Sequence, residues 1–233
     1  MESSKIMREF VKSVVRWLAT TKILILPRRI MGRIIRYAIL SNNGVIVYYN
    51  EPDKAKVFNL IRQIKKETEM LLHDNEAYQV FMAVERTEKI KGDIAEVGVY
   101  KGGSAKLICE AKGDRLLHLF DTFEGLPEVG EIDTIFHKGQ FNASFEYVKD
   151  YLKKYPNVYF YKGLFPATAE PVKNKSFSFV NLDTDIYKST LDCLKFFYCR
   201  MSKGGIILSH DYFYAAGVKK HLMNFLGINQ NQL

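Results

Sequence analysis

The sequence predicts an α/β fold in which a mainly parallel sheet carries helices on both faces. From residue 93 onward, short apolar segments typical of buried strands alternate with segments of helical periodicity. Such alternation favours right-handed strand–helix–strand units and therefore a parallel sheet. Glycine or acidic residues follow several of these strands, where open α/β sheets bind their ligands. The chain of 233 residues is long enough for one such domain with an extension.

Five segments have the character of strands, and helical segments separate them. The predicted strands are 93–99, 115–121, 158–162, 176–183 and 205–209. The predicted helices are 102–111, 143–153, 187–201 and 218–225, and residues 53–90 are mostly helical. Helix 187–201 has the clearest pattern, because its apolar residues recur at intervals of three and four positions. The long polar loop 123–140 is a candidate lid or substrate wall.

The composition is that of a globular protein and excludes several other classes. Hydrophobic residues make up 47% of the chain and charged residues 26%, which excludes a disordered or collagen-like chain. The three cysteines, Cys109, Cys193 and Cys199, lack CxxC spacing, so neither a disulfide scaffold nor a zinc site is indicated. We therefore expect a reducing, cytoplasmic setting.

The positive charge is concentrated in the first 45 residues. The whole chain has a net charge of +8, of which +7 lies in residues 1–45 and +1 in the remainder. A nearly neutral body argues against nucleic-acid binding. The apolar run 23–26 is far shorter than the ~20 residues that span a bilayer, and no signal-peptide pattern is present.

Residues 1–45 instead have the pattern of a basic amphipathic helix. Phe10, Val14, Trp17 and Leu18 recur at helical spacing, with basic residues on another face. Such a helix packs against the body or a neighbouring subunit, or lies peripherally on a membrane surface. We therefore divide the chain into an extension, 1–45, and a main domain, 46–233, and expect a homo-oligomer.

Glycines and a glutamate mark the end of the first predicted strand. They lie in the run Glu96-Val-Gly98-Val-Tyr-Lys-Gly102-Gly103-Ser104. Glycines let the backbone turn tightly and approach a ligand, and the new helix offers free N–H groups and its positive dipole end. The spacing differs from the GxGxxG dinucleotide pattern, and Glu96 suits a cationic ligand better than a pyrophosphate. We expect cofactor binding here; the alternative is a plain strand–helix turn.

An aspartate ends the second predicted strand. Asp121 lies 23 residues after Gly98, close to the ~20 expected for an acid that binds the ribose hydroxyls of a nucleotide-like cofactor. The alternative is that Asp121 only caps the following turn. Together with the glycine run, its position favours ribose binding.

Three carboxylates and one imidazole follow the fourth and fifth predicted strands. Asp183 and Asp185 end the fourth strand, and His210 and Asp211 end the fifth. Carboxylates that converge in a small volume require a cation or a shared proton, and Mg²⁺ prefers such oxygen ligands. The alternatives are that Asp185 caps the following helix and that His210 is a buried, hydrogen-bonded side chain.

Several of these motifs together resemble one known family. The runs IAEVGVYKGGSA, LFDTFEGLPE, YKGLFPAT, NLDTDIYKSTLDCL and MSKGGIILSHDY are similar to those of the macrocin O-methyltransferase (TylF/MycF) family, over about residues 55–226. The resemblance implies the class I methyltransferase fold with strand order 3-2-1-4-5. It also implies O-methylation of a sugar hydroxyl with S-adenosylmethionine and a divalent metal.

The resemblance also implies roles for individual residues. Glu96, Gly98, Gly102 and Ser104 would line the methionine end of S-adenosylmethionine, and Asp121 would bind its ribose. A separate set would carry out the chemistry and hold the metal: Asp183 as metal ligand, Asp185 as general base, and His210 and Asp211 in the place of two further metal ligands.

The sequence departs from the family pattern at two places. His210 stands where the family has an acid, and imidazole suits Mn²⁺, Fe²⁺ or Zn²⁺ better than Mg²⁺. We expect a retained but altered site with Mg²⁺ or Mn²⁺; the alternatives are a different metal, or a metal-independent enzyme with His210 as the base. The chain also ends at Leu233, so the C-terminal hairpin usual in this fold is expected to be missing.

Three functions follow from these observations. The first is S-adenosylmethionine-dependent O-methylation of a sugar hydroxyl on a glycoside, a nucleotide sugar or a polysaccharide. The second is a degenerate methyltransferase fold that acts as a binding or scaffold protein at a membrane surface. The third is an NAD-dependent oxidoreductase, against which the glycine spacing and the acidic cluster argue.

Overall fold

The computed structural model of the protein describes residues 52–210. Three predictions concern residues outside this range. They are the basic helix in 1–45, the helix 218–225 and the missing C-terminal hairpin. Between residues 52 and 210, no helix is both long and apolar enough to cross a membrane.

Five parallel strands form one sheet with the predicted order. The strands are β1 (Asp93–Val97), β2 (Leu117–Asp121), β3 (Val158–Lys162), β4 (Phe177–Leu182) and β5 (Met201–Ser209). Their order is β3-β2-β1-β4-β5, and every neighbouring pair is parallel. After β3 the chain crosses back over the sheet and places β4 on the other side of β1. The strand order therefore reverses between β1 and β4, and α/β sheets bind ligands at the carboxyl ends of the strands that flank such a switch point.

Five α-helices accompany the sheet within the described residues. They are α1 (Pro52–Glu67), α2 (Asp74–Arg86), α3 (Gly103–Ala111), α4 (Phe145–Leu152) and α5 (Tyr187–Phe197). The helical lead-in divides into α1 and α2, because the Glu76 carboxylate accepts a hydrogen bond from the His73 backbone N–H (2.7 Å) and starts a new helix there.

The core lies on the central strands and is rich in phenylalanine. β4 is buried along its whole length, and Phe120, Phe177 and Phe197 are fully buried. The Phe177 and Phe197 rings meet edge to face with centroids 5.0 Å apart. Each such side chain contributes about 1.5–3 kcal/mol through burial, which fixes α5 against the sheet.

The predicted boundary between the last described helix and strand was wrong. Helix α5 ends at Phe197, a 3₁₀ turn covers Tyr198–Arg200, and β5 already begins at Met201. The pair Gly204-Gly205 resembles a turn in the sequence, but it lies inside a strand whose register shifts between Phe177 and Phe179 of β4. β5 was also expected to be buried, yet its residues are half-buried or exposed because β4 is its one neighbour in the described sheet.

Candidate functional site

A cavity of about 450 Å³ lies at the carboxyl edge of the sheet. Segments that follow β1, β2 and β4 line it together with His210 at the end of β5. Most residues predicted for the site line this cavity: Gly98, Ser104, Asp121, Asp183, Asp185 and His210. Glu96 and Gly102 do not, and Asp211 lies outside the described residues.

Gly98 is the point where the β1 and β4 segments come closest. Its φ angle is +89°, and a Cβ atom there would overlap the carbonyl oxygen of Asp183. Its N–H donates to the carbonyl of Phe120 on β2 (2.9 Å). A glycine is therefore required for both backbone angle and space, as the sequence pattern predicted for this turn.

Asp121 connects the loops after β1 and β2. One carboxylate oxygen accepts from the backbone N–H groups of Val99 (2.7 Å) and Tyr100 (2.8 Å), and the other accepts from that of Phe123 (2.7 Å). Tyr100 and Phe123 both have positive φ angles, +50° and +56°, which cost energy for residues other than glycine. The carboxylate thus stabilises two strained loops, and its unused lone pairs still face the cavity.

Glu96 lies beneath the glycine loop rather than at the cavity surface. It is fully buried, and one carboxyl oxygen accepts from the Asn181 side-chain amide (2.9 Å). The other oxygen has no hydrogen-bond partner in residues 52–210. Burial raises the pKa of Glu96 to about 8, against the lowering effect of the Asn181 hydrogen bond. Asn181 was not predicted, because its pairing with Glu96 depends on the register between β1 and β4.

Asp183 and His210 stand beside each other at the ends of β4 and β5. Burial raises the pKa of Asp183, while the neighbouring imidazole of His210 acts in the opposite direction. The backbone N–H of His210 donates to the Leu182 carbonyl (2.9 Å), which continues the ladder of the strands to this point. The His210 Nε2 atom is buried without a hydrogen-bond partner in the described part of the chain.

Asp185 is held in a left-handed backbone conformation just before α5. Its φ angle is +59°, and the Ile186 N–H donates to the Thr184 carbonyl (2.6 Å) across it. The Thr184 hydroxyl lies 2.9 Å from that of Thr190 on the first turns of α5. A strained residue of this kind persists only where the surrounding contacts hold it in place. Here the contacts of the 184–190 segment hold Asp185, which lines the cavity.

The predicted metal ligands are only partly within the described residues. Residues 52–210 contain no group of three or more histidine, cysteine or acidic side chains arranged to hold a metal ion. Asp183 and His210 nevertheless fit two positions of such a site. Both line the cavity, Asp183 is a half-buried carboxyl and His210 has an unpartnered buried nitrogen. The third predicted ligand, Asp211, is not described.

Loop 123–140 forms one wall of the cavity. Its ends are joined by two backbone hydrogen bonds between Leu126 and the 139–140 pair, of 2.8 and 2.9 Å. Ile135 and Phe136 from its far part line the cavity. Residues 69–73 between α1 and α2 also line the cavity, although the sequence has no recognisable site signal there.

Comparisons with known proteins agree on one family. A profile of the macrocin O-methyltransferase (TylF) family matches residues 75–232. The 8-demethyl-8-(2,3-dimethoxy-alpha-L-rhamnosyl)-tetracenomycin-C 4'-O-methyltransferase of Streptomyces olivaceus is 32% identical over 140 residues, which are 53% of this chain and 54% of that protein. The demethyldecarbamoylnovobiocin O-methyltransferase of Streptomyces niveus is 29% identical over 140 residues, 53% of each protein. The chain thus spans about half the length of the curated relatives it matches.

Solved structures show the same architecture. The O-methyltransferase NovP superposes with a TM-score of 0.61 at 26% identity, covering 69% of this chain and 74% of that one. The calicheamicin methyltransferase CalS11 superposes with a TM-score of 0.58 at 17% identity, covering 77% of this chain and 87% of that one, and at that identity it supports the fold alone.

Proposed function

The chain belongs to the macrocin O-methyltransferase family, and we propose that it methylates a sugar hydroxyl with S-adenosylmethionine as the methyl donor. Its sheet is that of the class I methyltransferases. The observation that carries the proposal is the cavity shared by the Gly98 turn, Asp121 and the 183–185 segment. This arrangement brings a cofactor-binding edge and a proton acceptor to the same space.

The cofactor would occupy the side of the cavity formed by β1 and β2. When bound, S-adenosylmethionine supplies an electrophilic methyl group on a cationic sulfur. Gly98 and Ser104 would shape the space for its methionine end, and Asp121 would accept from its ribose hydroxyls through its remaining lone pairs. Gly102 would not take the predicted part in this, because the side on which a Cβ would stand faces Val148 of α4. Glu96 would not contact the cofactor. Its hydrogen bond with Asn181 would instead hold β1 against β4.

Asp185 would be the general base. Methyl transfer is a displacement in line with the leaving sulfur, so the protein must orient the acceptor oxygen and accept its proton. Asp185 lines the cavity in a conformation that α5 holds fixed, which suits a base that must reach one oxygen. Asp183, His210 and Asp211 would hold Mg²⁺ or Mn²⁺, which lowers the pKa of a bound hydroxyl.

The rim of the cavity favours an acceptor with an apolar portion. Three residues of the rim, Leu71, Ile135 and Leu164, are large apolar side chains that are 54%, 63% and 49% exposed. Five acidic side chains also line the cavity and, among the described residues, no lysine or arginine does. A divalent metal and the cationic sulfur of the cofactor would offset part of that negative charge when bound, so the preference rests on the rim. We therefore infer that the acceptor is a glycoside with an apolar portion beside the sugar.

Methyl transfer to a panel of sugars tests the proposal. Purified protein would be incubated with labelled S-adenosylmethionine and simple glycosides, apolar glycosides or nucleotide sugars, in metal-free buffer and with added Mg²⁺ or Mn²⁺. We expect turnover with apolar glycosides and a loss of at least about 100-fold in Asp185→Asn, the usual contribution of a general base. The matched control is Asp192→Asn, because Asp192 lies on α5 and pairs with Lys188 outside the cavity. Equal activity of Asp185→Asn and the parent would contradict the proposed base, and binding of NAD without S-adenosylmethionine binding would contradict the activity.

A further inference from the structure

The far part of loop 123–140 is attached to the start of α5 by one side chain. The backbone N–H of Tyr187, the first residue of α5, donates to a carboxylate oxygen of Asp133 (3.0 Å). Ile186, which precedes the helix, has no side chain that can cap it. Asp133, 54 positions earlier in the chain, therefore serves as the cap of α5.

Asp133 is placed in a position that is costly for a carboxyl group. The residue is 4% exposed, and its second carboxyl oxygen is buried without a hydrogen-bond partner in residues 52–210. Burial accordingly raises the pKa of Asp133. The unpartnered buried oxygen disfavours this position of the carboxyl group, whereas the hydrogen bond from Tyr187 favours it. The hydrogen bond to α5 is therefore the contact that holds the Asp133 side chain in this buried position.

Both segments joined by this bond reach the cavity within a few residues. On the loop side, the Phe136 N–H donates to the Asp133 carbonyl (3.1 Å), and Ile135 and Phe136 line the cavity. On the helix side, Tyr187 follows Asp185 by two positions, and the Thr184–Thr190 contact links the 183–185 segment to α5. A shift of either segment is therefore transmitted to the other through Asp133.

We propose that Asp133 is a positioning residue for methyl transfer, which couples the docking of loop 123–140 over the acceptor to the placement of Asp185. The proposal rests on the proposed function. Asp133 itself does not line the cavity and has no role in the proton transfer. Its hydrogen bond to Tyr187 fixes the first turn of α5 at the same time as Ile135 and Phe136 close on the bound sugar.

Two substitutions separate this role from a contribution to folding alone. Asp133→Asn keeps an oxygen that accepts from the Tyr187 N–H, whereas Asp133→Ala removes it. We expect Asp133→Ala to lower kcat about tenfold and to raise the KM of the glycoside, with the KM of S-adenosylmethionine unchanged. Asp133→Asn should restore kcat to within about twofold of the parent. The control is Glu131→Ala, because Glu131 is an exposed acid on the same loop. Unchanged kinetics in Asp133→Ala, or an equal defect in both Asp133 variants, would overturn the proposal.

Amide hydrogen exchange tests the coupling without any turnover. Exchange would be measured in the full-length protein for peptides that cover 133–140 and 187–197. Asp133→Ala should accelerate exchange about five- to tenfold in both peptides, the factor expected on loss of one helix cap, and Asp133→Asn in neither. Acceleration confined to the loop peptide would overturn the coupling. If exchange is coupled as expected but no sugar is methylated, the proposed function fails while the link between loop and helix stands.

Discussion

Asp121 shows how far a single residue could be understood from the sequence. Its place at the end of β2 and its spacing from Gly98 predicted that it binds the ribose of a cofactor, and the structure places it in the lining of the cavity. The sequence did not reveal that three backbone N–H groups donate to its carboxylate. Those donors come from loops whose positive φ angles at Tyr100 and Phe123 have no signal in residue type. The structure shows the capping role of Asp121, and the carboxylate keeps further lone pairs for a ligand.

The buried Glu96 leads to a prediction about how the free energy of unfolding depends on pH. Its pKa of about 8 in the folded protein lies above its ordinary value of 4.5. Between these values the folded protein holds a proton that the unfolded chain has lost, so the free energy of unfolding falls as pH rises, by at most about 1.4 kcal/mol per pH unit from this group. Glu96→Gln cannot titrate and keeps an oxygen for the Asn181 amide. The variant should therefore gain stability relative to the parent between pH 5 and pH 8.

Urea denaturation at pH 5, 6, 7 and 8 measures this difference. The control is Glu146→Gln, because Glu146 is 79% exposed in its side chain and makes only a loose pair with Lys149 (3.9 Å). Its stability should follow that of the parent at every pH. Parallel curves for Glu96→Gln and the parent would show that Glu96 is ionised in the folded protein throughout this range.

At the scale of elements, the parallel sheet and its strand order were predictable, whereas the walls of the cavity were not. The alternation of strands and helices predicted a parallel sheet, and the family resemblance implied the order β3-β2-β1-β4-β5, which was confirmed. The boundary between α5 and β5 was wrong because Gly204-Gly205 breaks the strand pattern while the backbone continues through a register shift. Residues 69–73 and Asp133 reach the site through long-range contacts that local patterns do not encode.

The exposed apolar side chain of Ile135 on loop 123–140 leads to a prediction about acceptor binding. Ile135 is 63% exposed at the rim, and a polar replacement there removes apolar contact without filling the cavity. Ile135→Ser should raise the KM of an apolar glycoside severalfold, since burial of such a side chain contributes about 1.5–3 kcal/mol at most. The KM of a simple methyl glycoside should change little.

Steady-state kinetics with the two glycosides and S-adenosylmethionine would measure this effect. The control is Tyr198→Ser, because Tyr198 is 60% exposed and lies away from the cavity. An equal increase in KM for both glycosides, or an increase in KM in Tyr198→Ser, would indicate a general loss of structure. It would contradict a lost contact with the apolar portion of the glycoside.

At the scale of the whole molecule, the positive charge is concentrated in one segment. Residues 1–45 carry +7 of the total of +8, and the rest of the chain is nearly neutral. Basic amphipathic segments of this kind bind anionic surfaces or pack against partner subunits. We propose that this segment contacts an anionic membrane surface peripherally or a second subunit of a cytoplasmic homo-oligomer.

Neutralising one face of this segment distinguishes the two contacts. A full-length variant with Arg8→Gln, Lys12→Gln and Arg16→Gln removes three charges from the predicted helix and leaves its apolar positions intact. Each basic residue near an anionic surface contributes about 1 kcal/mol, so binding to vesicles with phosphatidylserine should fall about 100-fold, while methyl transfer in solution stays unchanged. Flotation measures the first effect, and light scattering measures the oligomeric state in parallel. A variant that floats like the parent but becomes smaller in solution would assign the segment to the subunit contact, because only that contact would then depend on the three charges.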